Sequence, residues 1–223
     1  MCKNLYLVIF VCLFSFSSEA QYGLSGGVSL LKGFGVPKPY VGFSLGGEFP
    51  RDNESSFFIK ASFYGKNRLD PSLGSPPIYL EALDPNDFSI ASVSGNRFFN
   101  YTTINGGMRY YILDGYDTGF ALYGGSNVMG VINQAKIKAD GFDQSKYRIP
   151  ATNSLNGTIL NLGIGFSGGA KYTIPAVGTL FFDAEVDYLV FSLPSNQTAS
   201  DLASFFYSPV VFSLTLGFRK DLY

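Results

Sequence analysis

The sequence predicts an all-β fold, an eight-stranded antiparallel up-and-down transmembrane β-barrel. Three observations predict it. The 223-residue chain is rich in Gly (26), Phe (22) and Tyr (15) and only 15% charged, a profile that suits a β-protein whose surface faces lipid. Eight runs alternate bulky apolar residues with small or polar ones, the period-two signature of a two-faced strand. The links between those runs are alternately short and long, as in a meander whose turns gather at one end.

The strands are preceded by a stretch that reads as a secretory signal peptide over residues 1–20. Lys3 supplies the positive charge, Leu5 to Phe16 the apolar core, and Ser18-Glu19-Ala20 the small-x-small cleavage site. The apolar run is too short to favour a membrane-spanning helix. Residues 21–223 are then one barrel domain. Cys2 and Cys12 both fall in the removed segment. That excludes a disulfide framework, a cysteine nucleophile and a thiolate metal site. The chain has no histidine, so it lacks the usual general base and the commonest metal ligand. Net charge is −1 with no basic block, which argues against a nucleic-acid partner.

The first run, Tyr22 to Leu30, sets Leu24, Val28 and Leu30 against Gly23, Ser25, Gly27 and Ser29. The second, Tyr40 to Phe49, sets Val41, Phe43, Leu45 and Phe49 against Gly42, Ser44, Gly46 and Glu48. The third, Ser55 to Phe63, sets Phe57, Ile59, Ala61 and Phe63 against Ser56, Phe58, Lys60 and Ser62. The fourth, Tyr101 to Ile112, points Ile104, Met108, Tyr110 and Ile112 outward and Thr103, Asn105, Gly107 and Arg109 inward. The fifth, Gly119 to Asn133, is the least regular, because Met129 and Val131 break the pattern of Phe120, Leu122, Val128 and Ile132. The sixth, Leu160 to Ile174, and the seventh, Leu180 to Val190, alternate cleanly. The eighth is Val210 to Phe218, with Phe212, Leu214 and Leu216 against Ser213, Thr215 and Gly217.

Pro50–Glu54, Leu113–Thr118 and Pro175–Val177 are short turns rich in Pro, Gly, Asp and Asn. Leu31–Pro39, Tyr64–Asn100, Gln134–Gly157 and Leu193–Tyr207 are the longer links. Segment Phe88–Thr102 carries Ser94-Gly95-Asn96 at its middle and reads as a hairpin above the membrane. Were that hairpin to enter the bilayer, the barrel would have ten strands.

A soluble eight-stranded barrel shows charged residues outside. Here the minor face is mostly Gly, Ser, Thr and Asn, too poor in charge to be a wetted exterior. Such residues fit the narrow interior of an eight-stranded barrel. Tyr22, Tyr40, Tyr110, Tyr172, Tyr188 and Phe218 lie near strand ends, where interfacial aromatics belong. In hydrocarbon every backbone group must be paired, so the last strand is expected to close on the first. An even strand count places both termini on the periplasmic side.

The inward charges are Glu48, Lys60, Arg109, Lys171, Asp183, Glu185 and Asp187. Buried charges must be paired, so a salt-bridged plug is expected, with Lys171 diagonal to Asp183 across the last short turn. A catalytic carboxylate pair among Asp183, Glu185 and Asp187 is the weaker reading. The glycine-rich run Gly163 to Gly169 lies inside a strand, where glycine marks close packing rather than a phosphate cradle. Two loop stretches, Ile78-Tyr79-Leu80 and Phe205-Phe206-Tyr207, are candidate contacts for a surface or periplasmic protein partner. No metal site and no cofactor is expected.

Signal, amphipathic strands, turn–loop asymmetry and a last strand ending in aromatics together resemble the small OmpA/OmpX-type outer-membrane barrels. Many Gram-negative bacteria, Bacteroidota among them, carry such porin-like proteins. The resemblance covers essentially residues 21–223. It implies an outer-membrane location and a C-terminal strand read by the outer-membrane insertion machinery. It does not fix a function, because this fold hosts adhesins, enzymes, conduits and structural proteins. The lipid A acyltransferases and deacylases built on it depend on a histidine that this chain lacks, so the expected role is non-enzymatic. Two roles remain: envelope structure or partner binding through the outside loops, and an OmpW-like conduit for small apolar molecules.

Overall fold

The computed structural model describes residues 22–33, 38–68, 78–84, 91–93, 95–112, 115–116, 119–139, 141–150, 156–195 and 208–222. The expected signal peptide and Phe205, Phe206 and Tyr207 lie outside the described residues.

Eight strands form a closed antiparallel barrel. They are β1 (Tyr22–Gly33), β2 (Tyr40–Pro50), β3 (Ser55–Arg68), β6 (Gly95–Tyr111), β7 (Phe120–Ala139), β9 (Asn156–Ile174), β10 (Gly178–Pro194) and β11 (Val210–Leu222). Neighbours follow the order β1-β11-β10-β9-β7-β6-β3-β2. The seam joins β1 to β11 from Tyr22↔Leu222 to Gly33↔Val211, so no edge is left for another chain to pair with. Three short strands, β4 (Ile78–Ala82), β5 (Ala91–Val93) and β8 (Tyr147–Arg148), form a separate sheet in the order β5-β4-β8.

Three short turns and both ends of the barrel chain lie together; this is the turn end. The opposite strand ends, which the longer links join, are the loop end, and the small sheet belongs to two of those links. In the turn after β2, Ser55 Oγ donates 2.9 Å to Asp52 Oδ2 and the Glu54 N–H donates 2.9 Å to Oδ1. The Ser55 hydroxyl, before any other cause, holds the Asp52 carboxyl below its ordinary range. The turn between β9 and β10 needs left-handed backbone at Ala176 (φ 63°) and Gly178 (φ 144°). Glycine at the second position meets that demand without a Cβ.

Alternation sets the two faces. Val28, Phe43, Ile59, Ile104, Val128, Ile164, Val186 and Leu216, one from each barrel strand, point outward and are each at least 46% exposed. An unbroken apolar belt of this extent would aggregate in water; it is the exterior that hydrocarbon requires.

The barrel has the eight strands expected, and the ten-strand alternative falls away. Several other expectations are corrected. Among the described residues of the Phe88–Thr102 segment no hairpin forms: Ala91–Val93 pairs with β4, while Gly95–Thr102 pairs with β7 up to Gly95↔Ala139. Cross-strand pairing with a long neighbour outcompetes a local hairpin there. Strand β11 does not stop at Phe218 but runs to Leu222. Tyr40 is not an interfacial aromatic: it is 2% exposed, inside the barrel, since its parity is opposite to that of Val41 and Phe43. Met129 and Val131 do not break the alternation of β7. They are inward residues at 0% and 2% exposure, and the lumen at their level is apolar.

Candidate functional site

The candidate site is the lumen, and it has three levels. At the turn end and the middle, six ion pairs link seven charged residues of alternating sign. Asp221 Oδ1 lies 2.9 Å from Arg219 Nε, and Arg219 Nη1 lies 2.9 Å from Glu48 Oε2. The same Glu48 oxygen lies 3.0 Å from Arg109 Nη1, and Arg109 Nη2 lies 2.7 Å from Asp183 Oδ2. Lys60 Nζ continues the chain, 3.8 Å from Asp183 and 2.6 Å from Glu185 Oε1. All seven are buried.

Neutral donors complete the network. Ser56 Oγ donates 2.6 Å to Glu48 Oε1, and Tyr111 OH donates to the same oxygen. Tyr123 OH donates to Asp183 Oδ1. Glu185 Oε2 accepts from Asn105 Nδ2 at 2.7 Å and Ser213 Oγ at 2.9 Å. Each buried carboxylate of the chain thus meets several donors, the condition under which a buried charge is tolerated. Asp187 stands apart. Asn127 Nδ2 donates 2.6 Å to its Oδ1, and its Oδ2 has no hydrogen-bond partner among the described residues.

Aromatic rings close the turn end beneath the charges. Tyr116, in the turn after β6, folds back into the barrel and is 1% exposed. It packs with Tyr111, Ala121 and Tyr123. The Arg219 guanidinium lies 4.0 Å from the Tyr116 ring centre, and Arg109 lies 4.3 Å from that of Phe58. A partly desolvated guanidinium over a ring gains roughly 1–2 kcal/mol.

At the loop end the lumen changes character. Leu31, Tyr40, Tyr64, Phe99, Met129, Val131, Leu189 and Val211 form one buried apolar cluster. Tyr40 and Tyr101 pack edge to face with centres 4.7 Å apart. A hydrogen-bond run joins this stopper to the ion-pair chain. Tyr64 OH and Ser29 Oγ are 2.8 Å apart, Ser29 Oγ and Thr215 Oγ1 are 3.0 Å apart, and Lys60 Nζ lies 3.4 Å from Thr215 Oγ1.

Of the seven expected lumen charges, Glu48, Lys60, Arg109, Asp183 and Glu185 lie in the connected chain. Asp187 and Lys171 are buried outside it. The expected Lys171–Asp183 pair does not form: Asp183 is taken by Arg109 and Lys60. Lys171 instead donates to the Tyr116 carbonyl, with its ammonium 4.1 Å from the Tyr111 ring centre. Sequence reasoning missed Arg219, Asp221 and the Tyr116 lid. Arg219 and Asp221 share the parity of Ser213 and Thr215, so continuing the alternation past Phe218 was the available signal. Tyr116 had none, since it sits in a turn.

The glycines of β9 serve this packing. A Cβ at Gly165 would collide with the Asp187 carboxylate, and one at Gly169 would stand 2.6 Å from the Tyr123 hydroxyl. Among the loop candidates, Ile78 and Leu80 are buried and Tyr79 is 58% exposed on the small sheet. Beside Tyr79, Glu81 pairs with Arg148 at 3.0 Å, and that bond lowers the Glu81 carboxyl from its ordinary value.

The closed antiparallel barrel with an apolar exterior and a filled interior defines the class: it has the fold of the small bacterial outer-membrane barrels. Comparison with solved structures agrees. The chain is similar to a major outer membrane protein of Thermus thermophilus, with 12% identity, a TM-score of 0.56, and 92% of this chain and 100% of that one covered. It is also similar to Ail, the attachment invasion locus protein of Yersinia pestis, with 17% identity, a TM-score of 0.46, and 91% and 100% covered. Neisserial surface protein A gives 13% identity, a TM-score of 0.45, and 91% and 96% covered. The sequence matches no family model and no curated protein.

Proposed function

We propose that this chain is a solute-tight, non-enzymatic outer-membrane barrel that serves envelope structure or holds a protein partner at its loop end. The turn end, with both ends of the chain, faces the periplasm, and the loop end with the small sheet faces outward. The even strand count and the gathering of short turns at one end support that orientation. Tyr79, exposed beside the Glu81–Arg148 pair, is the contact the small sheet offers a partner. Strand β11, apolar outside and paired at the seam, is the segment the insertion machinery would read.

One observation carries this reading: the lumen is filled twice, by an ion-pair chain and by an apolar stopper. An eight-stranded barrel has interior room for side chains or one small ligand, and here side chains take it. The alternative, a conduit for small apolar molecules, lacks such support. It needs a loop-end pocket and a gap between strands, whereas every barrel strand is hydrogen-bonded to both neighbours. Planar-bilayer recording tests the reading: the purified barrel should give no steady conductance. A steady ohmic conductance comparable to that of a general porin would overturn it.

A further inference from the structure

Outside the barrel, the apolar band gives way toward the loops to a mostly polar rim. Phe63, Thr102, Ile132, Leu160 and Leu193 are successive register partners around the wall, and the four apolar ones among them form its last row. The next outward row is polar, with Asn100, Gln134, Thr158 and Ser195. Asn100 Nδ2 donates 3.3 Å to Gln134 Oε1, and the Thr158 N–H donates 3.0 Å to Ser195 Oγ. With Lys66 and Lys136 these residues line a groove of about 390 Å³. Lys138 stands nearby: Lys66 Nζ and Lys138 Nζ lie 4.9 Å and 5.9 Å from the ring centre of Phe98, the register partner of Lys136. All three lysines are exposed, and no acid lines the groove among the described residues.

Position and charge together name a ligand. Two residues along a strand advance about 7 Å. The groove therefore stands at headgroup height for a lipid whose chains cover Ile132 and Leu160. Basic side chains at that height attract anionic lipid. At the turn end the outward Lys220 is instead engaged with backbone, donating to the carbonyls of Ala176 and Val177 at 3.1 Å and 3.0 Å.

We propose that this groove binds the phosphate of an anionic membrane-lipid headgroup in the loop-side leaflet. Lys66 and Lys136 flank the phosphate, Lys138 adds charge from the rim, and Asn100, Gln134 and Thr158 supply polar contacts. The inference rests on the membrane placement above, which heat-modifiable migration of the membrane-inserted protein tests separately.

The experiment uses the full barrel in nanodiscs of phosphatidylcholine, with trace spin-labelled phosphatidylglycerol or phosphatidylcholine reporting relative association. The wild type should prefer phosphatidylglycerol by about fivefold or more, the worth of one well-placed lysine. K66Q/K136Q/K138Q should bring the ratio near unity while K220Q leaves it unchanged. Raising salt on the wild type should also lower the ratio, through screening. A triple variant that keeps the preference, or a wild-type preference indifferent to salt, would overturn the proposal. Loss of the preference in millimolar inorganic phosphate would assign the groove to free phosphate and overturn the lipid assignment.

Discussion

The two halves of the lumen solve one packing problem by opposite means. The turn-end half is filled by charges that neutralise one another, and the loop-end half by rings and aliphatic side chains. Both exclude solvent, but they fail differently. An ion-paired network is only as good as its least satisfied member, because removing one partner strands the others without water. An apolar cluster loses contacts in proportion to the volume removed.

Substitutions that unbalance one half should separate the two. Glu48→Ala should have the largest effect, because Arg109 and Arg219 both pair with one oxygen of Glu48. Leaving those cations buried should cost about 3–5 kcal/mol, read as a lowered midpoint in urea unfolding from lipid vesicles. Met129→Ala, at 0% exposure in the stopper, should cost about 2–4 kcal/mol through a cavity, with the ion-pair chain intact. A Glu48→Ala effect no larger than that of Met129→Ala would mean that the pairs add nothing beyond packing.

Leu214→Arg places a charge on the lipid face of β11 near the middle of its outward row, and should cost about 2–4 kcal/mol. The neighbouring Thr215→Asp should cost less, because Thr215 Oγ1 lies 3.4 Å from Lys60 Nζ inside the barrel. Equal losses in the same unfolding assay would show that the two faces are exchanged. The smallest effect belongs to Asp187→Asn. This carboxylate is outside the ion-pair chain and one of its oxygens has no hydrogen-bond partner among the described residues. Replacing it with an amide of the same shape should shift stability by less than about 1 kcal/mol; a loss matching that of Glu48→Ala would place Asp187 in the network.

The same contrast explains what the sequence allowed to be read. Period-two alternation named the outward rows and five residues of the ion-pair chain, because the lumen at those levels is small and polar, as the rule assumes. Met129 and Val131 looked like errors because apolar residues faced both ways at their level, and alternation carries no signal when both faces are greasy. Tyr40 was misplaced for the same reason. Arg219 and Asp221 were lost to a strand ended too early at the last large apolar residue. Which carboxylate meets which base was not readable, since Glu48–Arg219 joins residues far apart in sequence and depends on closure of the seam. The inward fold of Tyr116 depends on backbone pairing with Asn53, where its N–H donates 3.0 Å to the carbonyl, a contact between two turns that neither turn announces alone.

The claim that joins the two halves is that water does not run through the barrel. Thr215 lies between them at 1% exposure. A Thr215→Cys variant with Cys2 and Cys12 replaced by serine, in sealed vesicles, can be treated with a charged methanethiosulfonate reagent from either side. Ser145→Cys, exposed at the loop end, serves as the labelled control. No modification at residue 215 is expected from either face, while the control labels fully. Rapid labelling at residue 215 would contradict that claim and reveal an aqueous path.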